Sequence, residues 1–146
     1  MLVVRPLRDG DEPEWLRLRC ALWPGHEADE LKQEMADIRA DLDRQPVFVA
    51  ECPDGSLCGL VEVSIHTTAP GCTSNRIGYL EAWYVDPDRR EQGLGRRLVE
   101  AAEAWARSVG CREMASDTTP SYPVSPQAHA ALGYREVERH FRKDLI

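Results

Sequence analysis

The chain has 146 residues and a mass of 16.5 kDa, with 42% hydrophobic and 29% charged residues, a globular composition far from disorder. Its formal charge of −7 argues against nucleic acid as a partner and favours a cationic one. No run approaches the ~20 apolar residues of a membrane span, and the opening MLVVRPLRDGDEPEW lacks a signal peptide's apolar core, so a cytoplasmic chain is expected.

Leu2-Val3-Val4, ahead of Arg5-Pro6, predicts a short first strand. Asp9 or Asp11 caps a helix with Pro13 in its first turn and Trp15, Leu18 and Leu22 at helical spacing. Trp23-Pro24-Gly25-His26 ends it, because proline cannot continue a helix and glycine supplies the turn. A second helix is predicted over about residues 28–43, with Leu31, Met35, Ile38 and Leu42 as its apolar stripe. Each is preceded by an acid (Glu30, Glu34, Asp37, Asp41), so an acidic stripe runs beside the buried one. That stripe is either a solvated flank or an electrostatic funnel for a polycation.

Pro46 to Ala50 and Leu57 to Ile65, joined through the turn Pro53-Asp54-Gly55, predict a hairpin. Residues 66–76 are turn-rich, and Tyr79 to Val85 predict a strand stopped by Asp86-Pro87. Residues from about 93 to 109 predict a long helix, with Leu94, Leu98, Ala101 or Ala102, Trp105 and Val109 as its core stripe. Gly110 falls where the chain must turn left-handed. Arg112 to Ser116 predicts a strand, Ser125 to Leu132 a short helix, and Tyr134 to Leu145 a last strand. The order β-α-α-β-β-β-α-β-α-β is α+β or mixed α/β, one sheet with helices on its faces. With no repeat or linker, residues 1–146 read as a single domain. Cys20, Cys52, Cys58, Cys72 and Cys111 are an odd number without a C-x-x-C pair, and read as reduced core residues or spectators. No pair of histidines has metal-ligand spacing, and no metal is expected.

The segment from Val85 to Leu98, VDPDRREQGLGRRL, carries the clearest chemistry. A strand runs into a turn, and glycines at 93 and 95 open an amphipathic helix. A helix start leaves backbone N–H groups without partners and adds partial positive charge, and glycine lets an anion approach closely. Arg89, Arg90, Arg96 and Arg97 concentrate positive charge there. A phosphate or pyrophosphate site is predicted, although neither the P-loop spacing nor the third glycine of a dinucleotide fingerprint is present.

Arg90-x-x-Gly93-x-Gly95, after a strand ending in Val85-Asp86-Pro87, resembles the acetyl-CoA loop of the GCN5-related N-acetyltransferases (GNAT). The resemblance implies a mostly antiparallel central sheet with a splayed motif strand and flanking helices. It implies that amides of Arg90, Glu91, Gln92, Gly93, Leu94, Gly95 and Arg96 cradle the coenzyme's pyrophosphate. Backbone groups of Trp83, Tyr84 and Val85 are then implied to hold its acetyl and pantetheine portion. Leu22-Trp23-Pro24-Gly25-His26, Leu80-Glu81, Cys111 to Thr118 and His129-x-x-Leu132-Gly133-Tyr134 together resemble the aminoglycoside 6′-N-acetyltransferases within that family. That implies direct transfer of acetyl from acetyl-CoA to the 6′-amine of aminoglycoside antibiotics, an antibiotic-resistance activity, by a homodimer. The alternatives are another amine acceptor (a polyamine, small metabolite or protein amine) or a non-catalytic acetyl-CoA-binding regulator.

A polycationic acceptor calls for carboxylates, and its ammonium must lose a proton before it attacks a thioester. Glu81 is the candidate base, directly or through a water. Strand alternation puts it with Tyr79, Trp83 and Val85, where desolvation would raise its pKa. Its alternative role is a salt bridge to an arginine on the adjoining strand. Asp117 is a second substrate carboxylate or a turn cap, and Glu138, on the last strand, a third or an exposed charge. By the resemblance Trp23 and His26 rim the acceptor. His129 stands where many relatives have a tyrosine that protonates the leaving thiolate, and is the candidate acid. Tyr122 stands where an asparagine commonly contacts CoA, and its hydroxyl replaces that bond. Ala69 or Thr68 falls where related enzymes have a tyrosine touching the substrate. His66 and His140 receive no role.

Overall fold

The structure, a computed structural model, describes residues 2–146. Five strands form one sheet in the order β1 (Val3–Pro6), β2 (Val47–Glu51), β3 (Leu57–His66), β4 (Ile77–Val85) and β5 (Glu113–Ser116). Neighbours from β1 to β4 are antiparallel and β4–β5 is parallel, so the sheet is mostly antiparallel as expected. Helices α1 (Glu12–Leu22) and α2 (Ala28–Arg39) cover one face, α3 (Leu94–Ser108) the other, and α4 (Ser125–Ala131) follows β5.

Two cores result. On the α3 face, Leu94, Leu98, Val99 and Ala102 close over Val61, Val63, Leu80 and Val85. On the opposite face Trp15, Leu18 and Met35 pack on Val47, Val49, Leu57, Leu60 and Ala82. The second face also holds a buried ion pair. Glu62 accepts from Arg19 at 2.8 and 3.0 Å and from Trp15 Nε1 at 2.8 Å. Burial of these charges is tolerated because each has a matched partner.

Most predicted elements form within a residue or two of their expected bounds. Gly110 has φ of 92°, the left-handed conformation that ends α3. Helix α2 stops at Arg39 rather than near 43, where residues 40–44 turn back on themselves. Leu42 still packs against the α1–α2 core. A turn of 3₁₀ helix at Pro87–Arg89, unanticipated in the sequence, carries the chain from β4 toward α3.

The last predicted strand, 134–145, does not form: no residue from 135 to 146 is in a strand. A strand needs a partner for its backbone groups, and among the described residues no sheet edge pairs with the tail. Phe141 and Leu145 are accordingly 87% and 89% exposed.

Two irregularities in β4 build the site. Opposite β3, Glu62 pairs with Ala82 but Val63 with Leu80, so Glu81 is an extra, bulged residue. Against β5, Leu80–Ser116 is the last pair, and β4 then runs on alone to Val85. The two parallel strands therefore fork.

Candidate active site

Glu81 is the first residue of β4 beyond the fork, and Asp117 the first beyond β5. Both are exposed carboxylates. The bulge revises the expected face of Glu81. Trp83 and Val85 pack with the α3-side core, whereas Glu81 and Tyr79 meet β3 residues on the α1–α2 side. Glu81 is therefore not desolvated among aromatic rings, and its side chain is 40% exposed. Among the described residues no arginine binds it either. Its Oε2 accepts from Ser64 Oγ at 2.5 Å and from His66 Nε2 at 2.6 Å, and Oε1 has no partner among the described residues.

Asp117 Oδ2 accepts from the Tyr79 hydroxyl at 2.6 Å. Burial, and then the carboxylate of Asp117, push the Tyr79 phenol well above its usual range, so it stays a donor. The Tyr79 ring lies flat on His66, with centroids 4.1 Å apart and planes 11° from parallel. Ser64, His66 and Tyr79, which the sequence reading gave no role, thus contact the two candidate carboxylates. Their signal is a β3–β4 pairing that sets Ser64 opposite Tyr79 and puts His66 and Glu81 on the same side, visible only once the hairpin register is known.

On the other side of the fork the backbone is free. Among the described residues the N–H groups of Glu91 through Arg96 have no acceptor, and the first helical bond of α3 is Arg97 N–H to Gly93 carbonyl. Glu91 and Gly93 both have positive φ, 64° and 78°, which curls these amides into one concavity. Gly93 is exposed, and a Cβ there would meet nothing within 4 Å. The arginines keep the loop positive without being neutralised. Arg90, Arg96 and Arg97 donate to the carbonyls of Val85, Ala131 and Leu2. The amides, charges and space fit a pyrophosphate.

Strand amides add to this surface. Asp86 N–H donates to Cys58 carbonyl, and antiparallel alternation then turns Tyr84 toward β3 and Trp83 and Val85 into the fork. Of the three expected backbone contacts, Tyr84 is thus already committed to the sheet. The Trp83 ring lies against Gly95 on one side and edge-on to His129 on another, with centroids 5.2 Å apart. His129 Nδ1 donates to the Ser125 carbonyl at 2.8 Å, so Nε2 is the nitrogen that accepts from Ser116 Oγ, also at 2.8 Å. Ser116 belongs to the last β4–β5 pair, which sets the histidine at the vertex of the fork.

Trp23 and His26 bracket a turn closed by His26 N–H to Trp23 carbonyl, with ring centroids 6.1 Å apart. Arg19 lies 4.9 Å over the Trp23 ring and fixes it from below. Tyr122 donates its hydroxyl to Leu22 carbonyl at 2.6 Å. It therefore ties the loop after β5 to the end of α1, and its proton is not the free donor expected for a coenzyme. Glu138 does not lie on a strand as expected: it is in the strandless tail and pairs with His140 at 3.2 Å. Among the described residues no cluster of histidine, cysteine, aspartate or glutamate has metal-binding geometry. No helix among them is long and apolar enough to cross a membrane.

Residues 13–134 match the family model described as Acetyltransferase (GNAT) family. The chain is 44% identical, over 98% of its own length and 97% of the relative's, to an aminoglycoside N(6′)-acetyltransferase type 1 of Klebsiella aerogenes. It is 39% identical to one of Stenotrophomonas maltophilia, over 97% of this chain and 93% of that one. Among solved structures, AAC(6′)-Iy in complex with the bisubstrate analogue CoA-S-monomethyl-acetylneamine superposes with a TM-score of 0.88 at 35% identity, covering 99% of both chains.

Proposed function

This chain belongs to the acetyltransferase (GNAT) family, and on that footing we propose that it transfers acetyl from acetyl-CoA to the 6′-amine of aminoglycosides. The observation that carries this reading is the forked strand pair. One side offers free amides from Glu91 to Arg96, and the other offers Glu81 and Asp117. Relatives similar over nearly the whole chain bear the aminoglycoside N(6′)-acetyltransferase name, and neighbouring structures hold CoA or a CoA-linked analogue.

Acetyl-CoA is the co-substrate and supplies the thioester carbonyl that the acceptor amine attacks. The amides of Glu91 to Arg96, with Arg90 bracing the loop through Val85 carbonyl, hold the pyrophosphate at the positive end of α3. Trp83 and Val85 offer backbone groups to the extended arm beside it. Asp117 and the acidic flank of α2 attract the polycation, and Trp23 and His26 form a rim for its sugar. Glu81 is the base: Oε1, the oxygen without a partner, takes the ammonium proton directly or through a water. His129 is the acid in its doubly protonated form: Nε2, the nitrogen at Ser116, then gives its proton to the leaving sulfur and the ring returns to the neutral tautomer with its hydrogen on Nδ1. No cysteine nucleophile is required. Burial pushes the Cys58 thiol up to about 12, and the neighbouring Cys52 thiol adds to this, so it stays a neutral core residue.

Residues 1–146 work as one N-acetyltransferase domain in the cytoplasm, as a homodimer. Support for the dimer is the tail, whose Val137, Phe141 and Leu145 are exposed, together with the outer edge of β5, which no described strand covers. A second copy would satisfy both.

The test is release of CoA thiol when purified protein meets acetyl-CoA and kanamycin or tobramycin, with NMR of the product to locate the acetyl group on the 6′-nitrogen. Acetylation elsewhere, or turnover confined to polyamines or protein amines, overturns the assignment. Tight acetyl-CoA binding without turnover of any amine makes the protein a regulator.

A further inference from the structure

The two carboxylates at the fork are each held by one oxygen only. Glu81 Oε2 carries both of its hydrogen bonds and Asp117 Oδ2 carries its single one, which leaves Oε1 and Oδ1 without partners among the described residues. The donors on the held oxygens are not independent. His66 grips Glu81 and Tyr79 grips Asp117, and the two rings are stacked face to face across the β3–β4 pair at 4.1 Å. A carboxylate oxygen only accepts, so His66 Nε2 bears the hydrogen. One rigid stack therefore has a donor at each end, and each donor holds a different carboxylate.

We propose that His66 and Tyr79 are positioning residues that act as one stacked unit, setting the separation of the Glu81 and Asp117 carboxylates. The enzyme thereby selects acceptors whose amino groups match that separation. The inference rests on the reading of Glu81 and Asp117 as acceptor-facing groups. It adds a specificity role for two residues that do not touch the reacting atoms. A flexible linear polyamine adapts to any spacing, whereas a rigid aminocyclitol scaffold does not, so the stack discriminates between those two classes of polycation.

His66→Phe and Tyr79→Phe each keep the stack and delete one terminal hydrogen bond to a carboxylate. Each is expected to raise the KM for kanamycin about tenfold, with the KM for acetyl-CoA and the Tm unchanged. The double variant should lose less than the product of the two single losses, because both donors serve one spacing. His66→Gln, which keeps a donor for Glu81, should recover part of the loss. The preference for kanamycin over spermidine should narrow in both phenylalanine variants. Kanamycin KM values within about twofold of wild type, or an equal rise in acetyl-CoA KM, overturn the inference. Glu81→Gln run in parallel separates the two levels. If it abolishes kanamycin turnover while the ring variants do nothing, the stack has no role and the proposed function stands. If it leaves turnover intact, the reading of Glu81 falls and the stack's role falls with it.

Discussion

The indole Nε1 of Trp83 donates to the carbonyl of Gly95 at 3.1 Å, pinning the unpaired end of β4 to the first turn of α3. Two sets of free backbone amides, one on a strand and one at a helix start, are thereby held in register. Trp83→Phe keeps the ring packing and deletes that bond. The KM for acetyl-CoA should rise about fivefold while the kanamycin KM stays unchanged. Steady-state kinetics in both substrates check this, and an effect on the aminoglycoside alone would break the link to the coenzyme.

Glu91 and Gly93 share a left-handed backbone but only one of them is glycine. Gly93→Ala meets no steric obstacle, so its cost is conformational, about 1–2 kcal/mol, and should appear as a lower Tm and weaker acetyl-CoA binding. Glu91→Gly relieves the same strain and should raise the Tm by a few degrees. Opposite signs in a pair of melting curves are the expected result.

Among the described residues Glu62 is the only acceptor for the Trp15 indole, and it holds the buried Arg19 with two bonds. Glu62→Ala leaves a buried guanidinium short of its main partner and should cost about 3–5 kcal/mol, roughly a 10 °C fall in Tm. Glu62→Gln keeps one acceptor oxygen and should cost less. Arg19 also supports Trp23, so the alanine variant that still folds should bind aminoglycoside more weakly.

Acid should weaken the fold through Asp11. Burial tends to raise its carboxyl, but two bonds from Arg5 and the Arg8 amide outweigh this and hold it below the ordinary carboxylate range. A carboxyl depressed in the folded state stabilises above its unfolded pKa of about 4 and loses that contribution as pH falls through the folded value. Asp11→Asn should therefore lower the Tm at pH 7 and flatten its decline below pH 4. Thermal melts at stepped pH values measure both.

His129 is bonded at both ring nitrogens, which orients Nε2 toward the vertex of the fork. His129→Ala should lower kcat about a hundredfold at saturating substrates without raising the KM for acetyl-CoA. An unchanged kcat would assign the proton to another donor.

Much of the fold was legible because its signals are local. The apolar run from Pro46 to Ala50, the helical stripe of Leu94, Leu98 and Ala102 and the left-handed Gly110 each depend on neighbours a few residues away. The last strand was misread for the complementary reason. Val137, Phe141 and Leu145 would share one face of an extended chain, but a strand exists only where another edge receives its hydrogen bonds.

By itself the sequence determined the glycine-opened helix with its unpaired amides, the carboxylates at 81 and 117, and the acidic charge that suits a polycation. These follow from residue type and short-range spacing. Only the tertiary structure decided that β4 bulges at Glu81 and parts from β5 after Leu80. Only it brought His66 and Tyr79 into a stack that holds both carboxylates. The register between strands is fixed by how two cores pack on opposite faces of one sheet. A single inserted residue moves every later side chain to the other face, and no stretch of chain carries that information alone.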